Sequence, residues 1–308
     1  MATLFGQNLR ILSYDDVTEK YVVIAKATTS VVTLTNNVEQ ASHKDIVGIG
    51  AVPSITSKSW GVQVTSFDVS NTIMLLKAMR TRTRIRVLFD EVATTDNQTP
   101  VGAPFARTGE AYISDATFTF NDREISTKNL QLTGYGPLEP VGETITIQAV
   151  SADFNYTRGQ HIRLLVSTSG NPDNGLPIAA AKNMSLHVSL ALEQFSTKDT
   201  MGEWLLQEPT ELSYDITTNQ LVRSGEYIKS SVTAVGLTDL LEIHEASAVV
   251  GWKISSVTGD NNRTEVTGGV LVKGTCIITS LAINANNRQI ATYDCTFNGV
   301  GLYEEQSQ

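Results

Sequence analysis

Along most of this chain, apolar and polar residues alternate with a period of two. Trp60, Val62 and Val64 alternate with Ser59, Gly61, Gln63 and Thr65. Phe118 and Phe120 alternate with Thr117 and Thr119, and Ile145 and Ile147 with Thr144, Thr146 and Gln148. Successive side chains of a strand point to opposite faces, so such runs set one face on a core and the other in water, as in antiparallel sheets. Turn-forming clusters such as Thr94-Thr95-Asp96-Asn97 and Gly259-Asp260-Asn261-Asn262 punctuate the runs. Abundant Val, Ile and Thr suit a pleated surface. The pattern predicts a mainly β fold. Helical spacing occurs twice, over Ile73–Met79 behind the cap candidates Ser70-Asn71-Thr72, and over Asp239–Ile243 behind Thr238. Asp239 suits the positive end of the second helix.

The two helices belong to a repeat that runs through the whole chain. Gly6-Gln7-Asn8-Leu9-Arg10-Ile11-Leu12 aligns with Gly159-Gln160-His161-Ile162-Arg163-Leu164-Leu165, and Ile24-Ala25-Lys26-Ala27 with Ile178-Ala179-Ala180-Ala181. Val38-Glu39-Gln40 matches Leu192-Glu193-Gln194, and Thr56, Ser59, Trp60 and Val62 match Thr210, Ser213, Tyr214 and Ile216. The offset is 154 from residue 24 to residue 62 and then becomes 165. At that second offset Leu75-Leu76 fall on Leu240-Leu241. Gly109, Arg123, Ile125, Thr127, Gly134 and Gly136 fall on Gly274, Arg288, Ile290, Thr292, Gly299 and Gly301. The change of 11 implies an 11-residue insertion between Tyr214 and Leu240. The expected organisation is two homologous β domains, 1–150 and 151–308, each with one short helix.

Composition narrows the function. With 308 residues, 41% of them hydrophobic, the chain can bury a core without staples. Its two cysteines, Cys276 and Cys295, are too few for a disulfide framework or a four-thiolate zinc site. They align with Ala111 and Leu130 of the first copy, which predicts small buried residues. No apolar run approaches the roughly 18 residues that span a bilayer. Residues 1–10 carry neither the basic start nor the apolar core of a secretory signal, so folding in a cytoplasm and no membrane are expected. The net charge of −9 is uneven. Residues 1–150 hold 13 basic and 15 acidic side chains, against 10 and 17 in residues 151–308. A chain so acidic does not bind duplex DNA by neutralising phosphates.

The order of the repeated motifs resembles the major tail proteins of siphophages. The motifs are Gly6 to Ile11, Ile24 to Thr28, Glu39 to Asp45 and Ser59 to Val62, with Thr197-Lys198-Asp199-Thr200-Met201-Gly202-Glu203-Trp204 in the second copy. The first copy lacks the tryptophan seen at Trp204, and Tyr214 stands where the first copy has Trp60. The resemblance implies tandem tail-tube-type β-sandwich or barrel domains, six domains to a ring, and rings stacked into a tube. With two domains per chain, three chains would complete a pseudo-hexameric ring through heterologous contacts. It implies a structural virion protein without enzymatic activity or cofactor, assembled in the host cytoplasm and located in the virion tail. The partners it implies are further copies of the chain, a tape-measure protein, a tail terminator and tail-tip proteins. Genomic DNA would pass through the lumen without sequence-specific binding, and a predominantly negative lumen would keep the duplex sliding.

Candidate interface residues follow. Read as one strand, Arg80, Arg82, Arg84 and Arg86 present four guanidinium groups on one face about 7 Å apart. They could form a phosphate track, a solvated face, or a contact with an acidic face of the second copy. The last reading is preferred, because the equivalent positions there are Glu245, Ser247, Val249 and Gly251. The loops carrying Ser42, Lys44 and Asp45, and Ser196, Lys198 and Asp199, lack the surroundings of a catalytic Ser–Lys pair. They read as turns or ring-stacking contacts, with Trp204 beside the second. His43, His161, His187 and His244 have no metal-ligand spacing, and His187 reads as a solvent-facing strand residue. The polar loops 91–108 and 255–274 are long enough to reach a neighbouring domain. The alternatives are the inner tube of a contractile tail or injection system, and a non-catalytic carbohydrate-binding or adhesin module.

Overall fold

A computed structural model describes residues 9–15, 20–23, 27–41, 52–67, 72–92, 101–141, 158–195, 204–222, 234–258 and 264–305. In chain order the first half contains β1 (Leu9–Asp15), β2 (Lys20–Val23), β3 (Ala27–Ala41), β4 (Val52–Ser66), α1 (Thr72–Arg80), β5 (Ile85–Glu91), β6 (Arg107–Asn121) and β7 (Thr127–Pro140). The second contains β8 (Ile162–Ser167), β9 (Leu176–Pro177), β10 (Ala181–Phe195), β11 (Leu206–Leu221), α2 (Leu237–Glu245), β12 (Val250–Thr258), β13 (Thr264–Asn284) and β14 (Thr292–Glu305). The fold is mainly β, as the alternation predicts: one continuous antiparallel sheet with two short helices.

Strand order is the same in the two halves. Hydrogen bonding runs β1-β5-β6-β7-β4-β3 in the first and β8-β12-β13-β14-β11-β10 in the second. Register corresponds as well as order. Ile85 pairs with Ala111 and Val250 with Cys276, Gly61 with Thr133 and Asp215 with Asn298, Asp115 with Gln131 and Ser280 with Thr296. Register is held by which face is buried, since a one-residue slip would turn every core side chain outward.

Both helices amount to about two turns and draw their stability from packing rather than propensity. Thr72, Leu75, Leu76 and Met79 share the buried face of α1, the i, i+3, i+4, i+7 spacing of one helical stripe. Each helix ends in a Schellman turn. In α1, Thr83 N–H donates to the Ala78 carbonyl and Arg82 N–H to that of Met79, with Arg82 at φ 56°. In α2, Ala248 N–H donates to Ile243 and Ser247 N–H to His244, with Ser247 at φ 49°. The start of α2 differs from the sequence expectation. The cap is Gly236, not Thr238, because the Asp239 carboxylate reaches back 2.7 Å to the Gly236 N–H.

One aromatic anchors each half. Trp60 (β4) lies flat in a hollow left by Gly109 and Gly134 and donates its indole N–H to the Gly136 carbonyl at 3.0 Å. Tyr214 (β11) fills the corresponding hollow at Gly274 and Gly299, and its hydroxyl donates to the Thr275 carbonyl at 2.6 Å. Cys276 and Cys295 are buried free thiols, and burial pushes both up to about 12.

Candidate assembly surface

The two halves join edge to edge. The first part of β6 pairs with β5, and beyond the end of β5 the same side of β6 continues as an antiparallel ladder with β10, from Asp115↔Ser189 to Asn121↔Asn183. Alternation places Ala116, Phe118 and Phe120 beside Val188, Leu186 and Met184 on the buried face. On the opposite face His187 sits between two carboxylates, Nε2 2.7 Å from Asp115 and Nδ1 2.8 Å from Asp215. Burial opposes the imidazolium, but the two carboxylate hydrogen bonds and their charges outweigh it, and the pKa rises above that of a free histidine. His187 is therefore a strand residue on the face away from the core, as expected, but half-buried as a clamp across three strands. The signal was Asp115 and Asp215, which sequence spacing could not bring together.

A second contact locks the same junction from the side. Helix α1 lies against β13 and β14, and the Tyr303 hydroxyl donates to the Leu76 carbonyl at 2.7 Å. Arg80 forms a two-pronged pair with Glu305, Nε–Oε2 2.7 Å and Nη2–Oε1 2.5 Å. The Glu305 carboxylate is nearly buried, and burial alone would raise its pKa; the Arg80 guanidinium instead holds it below the usual carboxylate range. Such planar, bidentate pairing is what arginine provides and lysine does not.

The arginine stripe is not a strand face. Arg80 ends α1, Arg82 occupies the left-handed position of the turn, and β5 begins only at Ile85. The four therefore separate. Arg84 pairs with Glu110 at 2.7 Å and stacks 4.2 Å from the Tyr135 ring centre, Arg86 lies over Tyr14, and Arg82 is exposed. Trp204 also contacts the first half. It bridges to Lys58 of β4, whose ammonium lies 5.8 Å from the indole centre, and Leu205 N–H donates to the Lys58 carbonyl at 3.0 Å. Ser42, Lys44, Asp45, Ser196, Lys198, Asp199 and His43 lie outside the described residues, as do residues 93–100 and most of the insertion. The segment 255–274, expected as a long loop, is instead mostly strand, formed by the end of β12 and the start of β13, because its residues pair across those two strands on either side of 259–263.

Among the described residues, β3 and the C-terminal part of β13 are free edges of the joined sheet, besides the short terminal strands β2 and β9. The β3 and β13 edges carry exposed apolar side chains. Leu34 is 63% exposed and Ile283 50%, with Val31 and Val38 similar. Beside β3 an open groove of about 800 Å³ is lined by Val32, Leu34, Phe89, Phe105, Arg107 and Leu138 among others. Among the described residues no three or more His, Cys, Asp or Glu side chains gather as a metal site, and no helix is long and apolar enough to cross a membrane.

No family model and no curated protein matches the chain. Among solved structures it is similar to a chain from the tail of an empty gene transfer agent particle, refined helically with C6 symmetry. The identity is 15% and the TM-score 0.37, over 49% of this chain and 99% of that one. A chain of a native gene transfer agent virion is similar at 11% identity and a TM-score of 0.34, with the same coverage.

Proposed function

We propose that this chain is a structural tail-tube subunit of a phage-like particle, built from two duplicated domains. Three chains close a ring of six domains, rings stack, and the channel conducts the genome. The observation that carries the reading is the edge-to-edge junction of two halves with the same strand order and register. A unit that extends its sheet sideways ends in two different free edges, and a surface of that kind is heterologous. It propagates until a rotation closes it. The motif resemblance to siphophage major tail proteins, present in both halves, supports the same assembly. The net charge of −9 suits a conduit, since a wall poor in cations offers DNA phosphates few retarding contacts. The chain needs no catalytic group for this role. Tape-measure, terminator and tail-tip proteins are its partners in such a particle.

Negative-stain microscopy of the concentrated protein tests the proposal. Stacked rings with three-fold symmetry and a central channel are the expected result. Monodisperse monomers at every concentration would overturn it and favour a β-sheet binding module, to be pursued by a glycan screen.

A further inference from the structure

We propose that edge β3 of one chain pairs with edge β13 of the next in the register used inside the chain by β10 and β6. This inference rests on the tube reading and specifies its seam. Residue offsets of 154 for β10 and 165 for β6 carry the internal ladder onto the two free edges. Asp115↔Ser189 becomes Ser280↔Thr35, Ala116↔Val188 becomes Leu281↔Leu34, Thr117↔His187 becomes Ala282↔Thr33, and Phe118↔Leu186 becomes Ile283↔Val32.

Side-chain chemistry at these positions argues for a cover. Val188, Leu186, Ala116 and Phe118 are buried within the internal junction. Their counterparts Leu34, Val32, Leu281 and Ile283 are all apolar, yet Leu34 and Ile283 are at least half exposed in the single chain. An edge meant for water commonly carries charge or proline, and Thr29–Asn36 of β3 and Ile277–Asn284 of β13 carry neither. These edges keep the apolar side chains that pairing would bury.

The groove beside β3 supplies the matching seat for a helix. Leu138, in its wall, is the counterpart of Tyr303, the residue on which α1 rests inside the chain. The occupant is α2 of the neighbouring chain, which follows from the same operation that pairs β13 with β3. On α1, Leu76, whose carbonyl accepts from Tyr303, and Met79 one turn on are fully buried. Their counterparts on α2, Leu241 and His244, are half-buried and exposed. The ion pair does not carry over: Glu245 and Pro140 stand in place of Arg80 and Glu305. The seam between chains therefore depends on strand pairing and apolar contact, whereas the junction within a chain is additionally locked by Arg80–Glu305 and by His187. Eight strands of each chain, from β3 through β7 and β6 to β10 and β13, would form one ladder, closing at 24 in a trimer.

Paired cysteines in the full chain test the register. Residues directly opposite on antiparallel strands lie within disulfide reach, and a slip of two residues puts them beyond it. Thr33→Cys with Ala282→Cys should cross-link assembled protein under mild oxidation into species up to a trimer of about 100 kDa, three times the 33.4 kDa chain. Thr33→Cys combined with Asn284→Cys or Ser280→Cys should cross-link at least tenfold more slowly. The buried native thiols stay out of the reaction. Leu34→Glu should abolish assembly while leaving the melting temperature of the monomer unchanged. Rings or tubes that form with fast cross-linking at 284 or 280, or with none at 282, would overturn the register and leave the tube reading standing. Wild-type protein that forms no rings at all would overturn the reading beneath it.

Discussion

Gly134 is a position where a single methyl group should cost measurable stability. A Cβ built there would lie 2.3–2.5 Å from Cε2, Cδ2 and Nε1 of Trp60. Carbon atoms in contact settle near 3.5 Å, so the indole would have to retreat by about 1 Å. It has nowhere to go on the side of Gly109, where a Cβ would already meet Cζ2 at 2.6 Å, and retreat would stretch the 3.0 Å hydrogen bond to Gly136. Overpacking costs about 1–3 kcal/mol, and loss of the hydrogen bond adds about 1 kcal/mol. Gly134→Ala should therefore lose about 3 kcal/mol, roughly 6 °C in Tm for a domain of this size. Gly136 is the internal comparison. Its φ is +69° and a Cβ would meet nothing closer than Leu206 at 3.8 Å, so its constraint is backbone strain alone. Alanine there should cost about 1 kcal/mol and asparagine less, because asparagine tolerates the left-handed region. At Gly134 the order should reverse, with asparagine worse than alanine. Urea denaturation followed by circular dichroism measures all four variants. A Gly134→Ala protein as stable as wild type, or the same Ala/Asn order at both positions, would show that the Trp60 indole yields without cost.

Three further outcomes are expected. The raised pKa of His187 means that its clamp contributes fully below the unfolded value of about 6.5 and is lost as pH rises through the higher folded value. The Tm of wild type should therefore fall across that window relative to His187→Gln, and parallel Tm–pH curves would dismiss the clamp. Arg80→Ala strands the nearly buried Glu305 carboxylate and should cost about 2 kcal/mol after discounting for the partly exposed arginine, with most of it recovered in Arg80→Met/Glu305→Gln. A loss under about 0.5 kcal/mol in urea would show that Glu305 finds another partner. Lys253, almost fully buried, pairs with Glu265 at 2.7 Å. Glu265→Ala should lose about 3 kcal/mol and Lys253→Met/Glu265→Met far less, which a double-mutant cycle would read directly.

Local pattern was legible because it reports local geometry. The alternation at Trp60–Val64 and Phe118–Phe120 marks buried strand faces, and the spacing of Leu75, Leu76 and Met79 marks one face of α1. The arginine stripe misled because its alternation at Arg80, Arg82, Arg84 and Arg86 spans a helix end, a turn and a strand. Period two without apolar partners is not a strand signal. Thr238 misled because a capping hydroxyl was sought where a carboxylate three residues past the cap does the work.

Sequence pattern alone was enough for the mainly β character, both helices, the buried aromatics Trp60 and Tyr214, and the alignment from which two related halves are proposed. Each of these depends on contacts between near neighbours, or on comparing one stretch of chain with another. Long-range folding was needed to show how the halves meet, that His187 bridges Asp115 and Asp215, that Arg80 holds Glu305, and that β3 and β13 remain as open apolar edges. Those facts join residues 28 to 225 positions apart. No periodicity encodes such distances; they emerge when backbone groups of one strand find the strand that satisfies them.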